Sequence, residues 1–269
     1  MITPAERTAL ASAADALLAA HRRSEPLVLA NVWDVASARI VEEAGFSFLA
    51  TSSRAIAGVL GERDDDSSDP DVIFDLVARI ARAVRRPVTA DLEAGYRLDP
   101  ADLVRRLLEA GAVGCNLEDT DHHGGGVLIE ADRQAAFLAD VRAAADAAGV
   151  HIVINARVDT FIRRVGDEQE QLAEAIRRGG LYLAAGADCV YPIAVVDRDK
   201  IARLIEALPG PVNVLARRGG PRIEELAALG VRRISLASGL HQLAGECLRS
   251  AARRLALGAS LDDVWQAES

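Results

Sequence analysis

Two carboxylates one residue apart follow a short apolar run in the middle of the chain. The run Pro87-Val-Thr-Ala90 has the length of a buried strand, and Asp91 and Glu93 come next, with Gly95 close behind. Because side chains alternate faces along a strand, we expect Asp91 and Glu93 to project to one side where the strand opens into a loop. Such a pair suits a divalent cation, although an isolated pair is more often a solvated loop edge.

Further polar side chains end other apolar runs. Glu118 and Arg157 each follow a run of strand length. If these runs are neighbouring strands, the carboxylates of Asp91, Glu93 and Glu118 form a hard-oxygen site suited to Mg²⁺ or Mn²⁺, rather than to Zn²⁺, which prefers His and Cys. Arg157 fits either a salt bridge to these acids or a fixed cation for a substrate carboxylate or a developing oxyanion.

Two connections that follow predicted strands are longer than the others. Residues 52–69 contain an acidic run that begins at Asp64, and residues 119–130 contain His122 and His123 followed by three glycines. Long loops at this edge of a barrel often act as lids over a site. Asp64 and the two histidines are therefore candidates for acid–base chemistry. The same features also fit a solvated charge run and a mobile surface loop, and both interpretations stay open.

The elements that would position these residues alternate regularly. Between residues 26 and 255, strand-length apolar runs alternate with helical patterns eight times, and turns such as Glu43-Ala-Gly45 are short. This order predicts one (β/α)8 barrel domain over 1–269. A doubly wound open sheet is disfavoured, because no G-x-G-x-x-G follows the first strand and no composition break marks a second domain. We also expect an N-terminal helix at about 4–21 and C-terminal helices at about 240–268.

The composition narrows the class of protein. Half of the 269 residues are apolar but only 4% are aromatic, so the core must be built from Ala, Val, Leu and Ile. The formal charge of −9 argues against a nucleic-acid partner, which needs a positive surface. The three cysteines are far apart and form no C-x-x-C pair, as in a reduced compartment. No run is long enough to span a bilayer and no secretory signal is visible, so we expect a cytoplasmic protein without a membrane partner.

These residues fall into motifs that resemble the isocitrate lyase and phosphoenolpyruvate mutase superfamily. The D-x-[DE]-x-G-[YF] element and the Leu-Glu-Asp strand end make the resemblance specific, and it covers about residues 25–240. The matching segments, in order, are Asn31-Val-Trp-Asp34, Thr51-Ser-Ser53, Leu60-Gly-Glu-Arg-Asp64, Thr89-Ala-Asp-Leu-Glu-Ala-Gly-Tyr96, Asn116-Leu-Glu-Asp119 and Asn155-Ala-Arg157.

The resemblance implies an α/β barrel whose eighth helix is exchanged with a partner subunit in a dimer of dimers, and a Mg²⁺-dependent site for 2-oxo acids or related carboxylates. By position, Asp91 resembles the direct metal ligand, whereas Glu93 and Glu118 resemble residues that hold metal-bound water. Arg157 resembles the arginine that steadies the transferred or departing group, and Asp64 resembles a loop aspartate near the reacting centre. The candidate substrate contacts are Trp33, Thr51, Ser52, Ser53 and Asn213. The backbone N–H groups of the two serines are expected to receive a substrate carboxylate.

The chain departs from the superfamily pattern in two places. Glu93 replaces an aspartate, and residues 119–130 contain neither the Lys-[KR]-Cys-Gly-His of isocitrate and methylisocitrate lyases nor the Lys-rich loop of phosphonate enzymes. We therefore expect a Mg²⁺-dependent lyase that cleaves a C–C bond of a small 2-oxo or 2-hydroxy dicarboxylate through a stabilised enolate, with Asp64 or His122 moving the proton. The alternatives are P–C bond chemistry on phosphoenolpyruvate, phosphonopyruvate or a carboxyphosphonate, and a barrel that binds a metabolite without transforming it.

Overall fold

Parallel strands close into a barrel in the computed structural model, which describes residues 2–266. In chain order the strands are β1 Leu27–Leu29, β2 Asn31–Val32, β3 Leu49–Thr51, β4 Val88–Asp91, β5 Ala112–Glu118, β6 Thr120–Asp121, β7 Val127–Leu128, β8 Val153–Val158, β9 Cys189–Pro192, β10 Asn213–Leu215 and β11 Arg233–Ser235. The segments β1 and β2 are the two halves of the first barrel strand, separated by Ala30.

The pairing order closes the ring of strands. One sheet runs β2-β3-β4-β5-β8-β9, and a second runs β10-β11-β1. The two are joined by a parallel bridge between Val190 and Val212, and on the far side by the continuity of β1 with β2. Since β11 pairs back with β1, Leu27 lies opposite Arg233. The predicted eight-stranded barrel is therefore confirmed, and β6 with β7 forms a separate antiparallel hairpin.

The helices follow the strands as the alternation predicted. They are α1 Pro4–Ala20, α2 Val35–Glu43, α3 Ser53–Leu60, α4 Pro70–Ala83, α5 Pro100–Glu109, α6 Ala131–Ala148, α7 Thr160–Arg163, α8 Glu168–Ala184, α9 Arg198–Ala207, α10 Ile223–Leu229, α11 Gly239–Ala256 and α12 Leu261–Gln266. The expected C-terminal helical span to residue 268 ends outside the described residues. None of the helices within 2–266 is long and apolar enough to cross a membrane.

Both long connections contain secondary structure that the sequence patterns did not predict. In residues 52–69 the chain forms α3 at once, because the Ser52 hydroxyl caps the helix by accepting from the Ala55 amide at 3.4 Å. In residues 119–130 it forms the β6–β7 hairpin. Gly125 and Gly126 have φ of +92° and +76° there, a backbone conformation that favours glycine.

Small aliphatic side chains fill the core, and α1 packs against β5 and β8 near their amino-terminal ends. Ala14 and Leu17 of α1 are buried in the main core. A Cβ atom added at Gly114 of β5 would come 2.8 Å from the Val153 carbonyl oxygen and 3.1 Å from a Leu17 methyl group. Glycine at this position therefore permits the close approach of α1, β5 and β8.

A buried polar network ties the end of β5 to α8. Asp119 is fully buried, and its Oδ2 accepts from Arg178 at 3.0 Å and from the Tyr182 hydroxyl at 2.8 Å. Its Oδ1 accepts from the Asp159 amide at 2.9 Å. The partners belong to α8 and to the backbone just after β8, so Asp119 fixes the end of β5 to both.

Removing Arg178 should destabilise the fold, because it leaves the buried Asp119 carboxylate without a cation, with only the Tyr182 hydroxyl and the Asp159 amide as donors. We expect Arg178→Met to lower the free energy of unfolding by about 3 kcal/mol in urea titrations. The neighbouring Arg177 contacts Glu174 but is 52% exposed, so Arg177→Met is the matched control and should cost under about 1 kcal/mol. Equal effects of the two substitutions would contradict a structural role for the Asp119 network.

Candidate active site

Five of the eleven predicted site residues meet in a cavity of about 70 Å³ at the carboxyl ends of the barrel strands, whereas Glu93, Glu118 and His122 lie outside its lining. The five are Ser52, Ser53, Asp64, Asp91 and Arg157. The remaining lining residues are Asn31, Arg54, Asn116, Ile162, Tyr191, Ile193, Ser235, Ala237 and Ser238. Residues from at least six different barrel segments therefore converge on one small space, which is how barrel enzymes build their sites.

Asp91 ends β4 and is held by three hydrogen-bond donors. Its Oδ2 accepts from the amide and the hydroxyl of Ser53, at 3.0 and 2.9 Å. Its Oδ1 accepts from Asn116 Nδ2 at 3.2 Å, and its own amide donates to the Thr51 hydroxyl at 2.9 Å. The carboxylate is thus fixed in one orientation by three donors from two side chains and one backbone amide.

Glu93 does not reach the site by strand alternation, and in this respect the expectation was wrong. The strand ends at Asp91, and Glu93 has a φ of +49°, followed by Tyr96 at +52° and Arg97 at +57°. Such left-handed backbone is costly in non-glycine residues and is concentrated at functional sites. It turns the Glu93 carboxylate to the Asp66 amide at 2.5 Å and the Tyr96 hydroxyl at 3.2 Å.

Asp66 holds this strained turn in place. It also has a positive φ, +58°, and its Oδ1 accepts from the amides of Ala94 and Tyr96, at 3.2 and 2.9 Å. Burial raises the pKa of Asp66. Sequence reasoning assigned Asp66 only to a charge run, and the partners that make it structural lie 28 and 30 residues away in the chain.

Arg157 is the fixed cation of the site. It forms two hydrogen bonds with Asp159, at 2.7 and 2.9 Å, and an ion pair with Glu118. The salt-bridge interpretation of this arginine is therefore confirmed, and its role as a cation for a substrate, which its place in the cavity lining allows, stays a prediction. Burial raises the pKa of the Glu118 carboxyl, while the Arg157 charge opposes that shift.

The two histidines of the β6–β7 hairpin contact the acidic residues. His122 Nε2 donates to Glu118 Oε1 at 2.5 Å, and His123 Nε2 lies 3.2 Å from Asp66 Oδ2. Burial lowers the pKa of His122, but the hydrogen bond and the charge of Glu118 outweigh it, so the net shift is upward. The hairpin is therefore connected to the site, and His122 and His123 also line a second cleft of about 580 Å³ beside it.

Of the predicted substrate contacts, the two serines line the cavity, but their amides are engaged. The Ser52 amide donates to the Val32 carbonyl at 3.2 Å, and the Ser53 amide donates to Asp91. Trp33, Thr51 and Asn213 do not line the cavity. Trp33 makes an edge contact with His241 at 5.0 Å between ring centroids, and Asn213 donates to the Ser235 hydroxyl at 3.1 Å.

The donor set is one that Mg²⁺ prefers, although the side chains do not form a ready coordination shell. Among residues 2–266, no three acidic, histidine or cysteine side chains are arranged to hold a metal ion. The electrostatics nevertheless fit a cation. Burial, and to a smaller extent the charges of Asp64, Glu118 and Asp91, together raise the pKa of Glu93 to about 8, against the hydrogen bond from the Asp66 amide, which lowers it. A bound divalent cation would offset this repulsion, and its ligands are carboxylate oxygens already in place nearby.

Two residues of the barrel interior escaped the sequence reasoning. Asn116 of β5 contacts Asp91, and the fully buried Arg233 of β11 contacts Asn116 at 3.2 Å. A signal was available for Arg233, because the apolar run Val231-Arg-Arg-Ile-Ser235 carries two adjacent arginines. Since side chains alternate in a strand, one of the two has to point into the barrel.

Comparison with known proteins agrees with this geometry. A protein of Burkholderia cenocepacia J2315 with a provisional phosphonomutase assignment is 36% identical, with a TM-score of 0.85 over 91% of this chain and 99% of its own. An oxaloacetate decarboxylase of Chromohalobacter salexigens is 32% identical over 223 residues, 78% of this chain and 73% of that protein. An uncharacterised protein of Mycobacterium tuberculosis is 31% identical over 81% of this chain and 80% of its own length.

A family model covers nearly all of the barrel. The model described as phosphoenolpyruvate phosphomutase matches residues 17–256, which include every strand and every predicted site residue. This confirms the resemblance drawn from the motifs. The chain belongs to the phosphoenolpyruvate phosphomutase family, within the isocitrate lyase and phosphoenolpyruvate mutase superfamily.

Proposed function

We propose that this chain is a Mg²⁺-dependent lyase that cleaves a C–C bond of a small 2-oxo or 2-hydroxy dicarboxylic acid. The observation that carries the proposal is the convergence of Asp91, Asp64 and Arg157 on one cavity of about 70 Å³. This space suits a small acid rather than a larger ligand, whose pockets typically exceed about 300 Å³. The similarity to an oxaloacetate decarboxylase supports C–C bond cleavage.

Asp91, Glu93 and Glu118 would hold the cation, with Mn²⁺ as an alternative to Mg²⁺. When bound, the cation supplies Lewis acidity that lowers the energy of an enolate of the substrate. The protein's own contribution is to keep Asp91 oriented by Ser53 and Asn116, so that little reorganisation is needed when the ion binds.

Arg157 would stabilise negative charge that develops on the departing group. Its guanidinium is held from one side by Asp159 and from the other by Glu118, so its position is set before the substrate arrives. A preorganised cation of this kind stabilises the transition state more than the ground state, because its charge is aimed where negative charge forms.

Two groups could move the proton. Asp64 lines the cavity, and its buried Oδ1 has no hydrogen-bond partner within residues 2–266. His122 shares a short hydrogen bond with Glu118, which helps to raise the pKa of the imidazole, and this pair could pass a proton to or from a substrate. The substrate decides which of the two is close enough to act.

P–C bond chemistry is the second candidate, favoured by the family model and by the Burkholderia protein. The cavity argues against it. The cations that line it are Arg54, which is paired with Asp64, and Arg157, which is paired with Asp159 and Glu118. Residues 119–130 contribute no lysine or arginine. A phosphonate dianion would therefore meet few free cations among the described residues.

We further propose that α11 is exchanged with a partner subunit, as in a dimer of dimers. None of the 18 residues of α11 is buried, unlike those of the other long helices. Leu248 and Leu255 lie two turns apart on one face and are 71% and 41% exposed, and Trp265 of α12 is 77% exposed. An apolar face of this extent marks a protein interface.

Alanine at Asp91 should remove both metal binding and turnover. We expect Asp91→Ala to weaken Mg²⁺ binding by more than about 100-fold in calorimetry, because the ligand itself is lost. Turnover should be followed on oxaloacetate, alkylmalates and phosphonopyruvate, with the products identified. Asp75→Ala, which removes an exposed acid of α4, is the control. Unaltered turnover by Asp91→Ala would contradict the proposal, and Mg²⁺ binding without turnover of any acid would favour a non-catalytic barrel.

The two histidines should differ in importance. If His122 moves a proton, His122→Ala should lower kcat by about 10²-fold or more, because general acid–base groups contribute on that scale. His123, whose side chain is 40% exposed and contacts Asp66, is the neighbouring control and should lower kcat much less when replaced by alanine. Equally small losses in the two variants would leave Asp64 as the proton-transfer group.

A charge on the apolar face of α11 should change the oligomeric state. Leu248→Glu should shift the protein to smaller species in size-exclusion chromatography with light scattering, while circular dichroism stays unchanged. Ser250 is exposed on the same helix, roughly 160° around its axis, so Ser250→Glu is the matched control. A native assembly that survives Leu248→Glu would exclude this face as the interface.

A further inference from the structure

Arg233 is a buried cation that the proposed chemistry does not use. Its side chain projects from β11 into the barrel and is fully buried, and no carboxylate within residues 2–266 forms a salt bridge with it. Its NH2 group donates to Asn116 Oδ1 at 3.2 Å, whereas its Nε and NH1 atoms have no protein partner among the described residues. A guanidinium buried with so few partners costs stability, so its retention here calls for a functional reason.

The contact with Asn116 sets the direction of an amide. A guanidinium has only donors, so the Asn116 atom that faces Arg233 has to be the oxygen. The amide nitrogen then points the other way, where it donates to Asp91 Oδ1 at 3.2 Å. Arg233 therefore acts on the Asp91 carboxylate through one intervening side chain.

Asn155 cannot set this direction by itself. Its Nδ2 also donates to Asn116 Oδ1, at 2.8 Å, but its own Oδ1 has no partner among the described residues. If the Asn116 amide turned over and presented its nitrogen to Asn155, the Asn155 amide could also turn over and present its oxygen. This would cost little, because an asparagine can present either atom. Arg233 has no acceptor atom to present to an Asn116 nitrogen, so it opposes this change.

The direction matters because, within residues 2–266, Asn116 and Ser53 supply all the hydrogen-bond donors to the Asp91 carboxylate. A reversed Asn116 would turn its oxygen toward Asp91 Oδ1, so an attraction would become a repulsion. The carboxylate would then lose the fixed orientation that a metal ligand needs.

We propose that Arg233 is a positioning residue: by donating to Asn116 Oδ1 it fixes the direction of the Asn116 amide and so orients the Asp91 carboxylate for a divalent cation. This inference rests on the proposed metal site. Arg233 lies on β11, the eighth barrel strand, below the cavity, and it would contact neither the metal nor the substrate.

The test is Mg²⁺ binding, measured by calorimetry on the full chain with the metal alone. Arg233→Met and Asn116→Leu should each weaken Mg²⁺ binding by about 10-fold or more. The double variant should bind Mg²⁺ no more weakly than either single variant, because both substitutions interrupt the same chain of hydrogen bonds from Arg233 through Asn116 to Asp91. Arg233→Lys, which can also only donate, should stay within about 3-fold of the unmodified chain. Thr89→Val, which removes a buried hydroxyl of β4 without a partner, is the control and should bind normally.

The outcomes separate this inference from the proposed function. An unmodified chain that does not bind Mg²⁺ overturns the metal site itself. Binding that Asp91→Ala abolishes but Arg233→Met leaves unchanged overturns the positioning role alone, as do additive effects of Arg233→Met and Asn116→Leu. Should Arg233→Met fail to fold, Arg233→Gln decides, because glutamine can face Asn116 with either atom. Normal Mg²⁺ affinity in that variant overturns the role.

Discussion

The mutual repulsion of carboxylates buried at the ends of β4 and β5 is the constraint on which the site depends. Glu93 has its pKa raised to about 8 by burial and by the neighbouring acids, and the pKa of Glu118 is raised as well. The protein offsets part of this repulsion with Arg157 and with the donors around Asp91. What remains is an electrostatic preference for a further cation, which is the physical basis of the metal proposal.

The same acids connect the site to its surroundings. Glu118 contacts His122 and Asp66 lies against His123, so both contacts join the β6–β7 hairpin to the acidic cluster. The left-handed turn through Glu93 and Tyr96 is held by Asp66 from the preceding connection. Movement of either segment would therefore change the geometry of the acids.

Sequence predicted the barrel well, because hydrophobic period and helix caps are local signals. The N-terminal helix expected at about 4–21 is observed at Pro4–Ala20, and the eight barrel strands alternate with helices as expected. The direction of Glu93 could not be predicted, since its positive φ depends on Asp66. The helix after Ser52 was not predicted, although most of the residues 53–60 are apolar. The convergence of Asp91 and Arg157 followed from their strand ends, whereas the roles of Asn116 and Arg233 required knowing which side chains meet inside the barrel.

The most direct test of the central claim is a crystal structure with Mn²⁺ and oxalate, in which anomalous scattering locates the metal independently of any side chain. We predict a peak about 2.1–2.2 Å from an Asp91 carboxylate oxygen, with the Glu93 and Glu118 carboxylates facing the metal-bound waters and oxalate in the cavity beside Arg157. An anomalous peak elsewhere, or an Asp91 carboxylate still directed only to Ser53 and Asn116 at saturating Mn²⁺, would contradict the account.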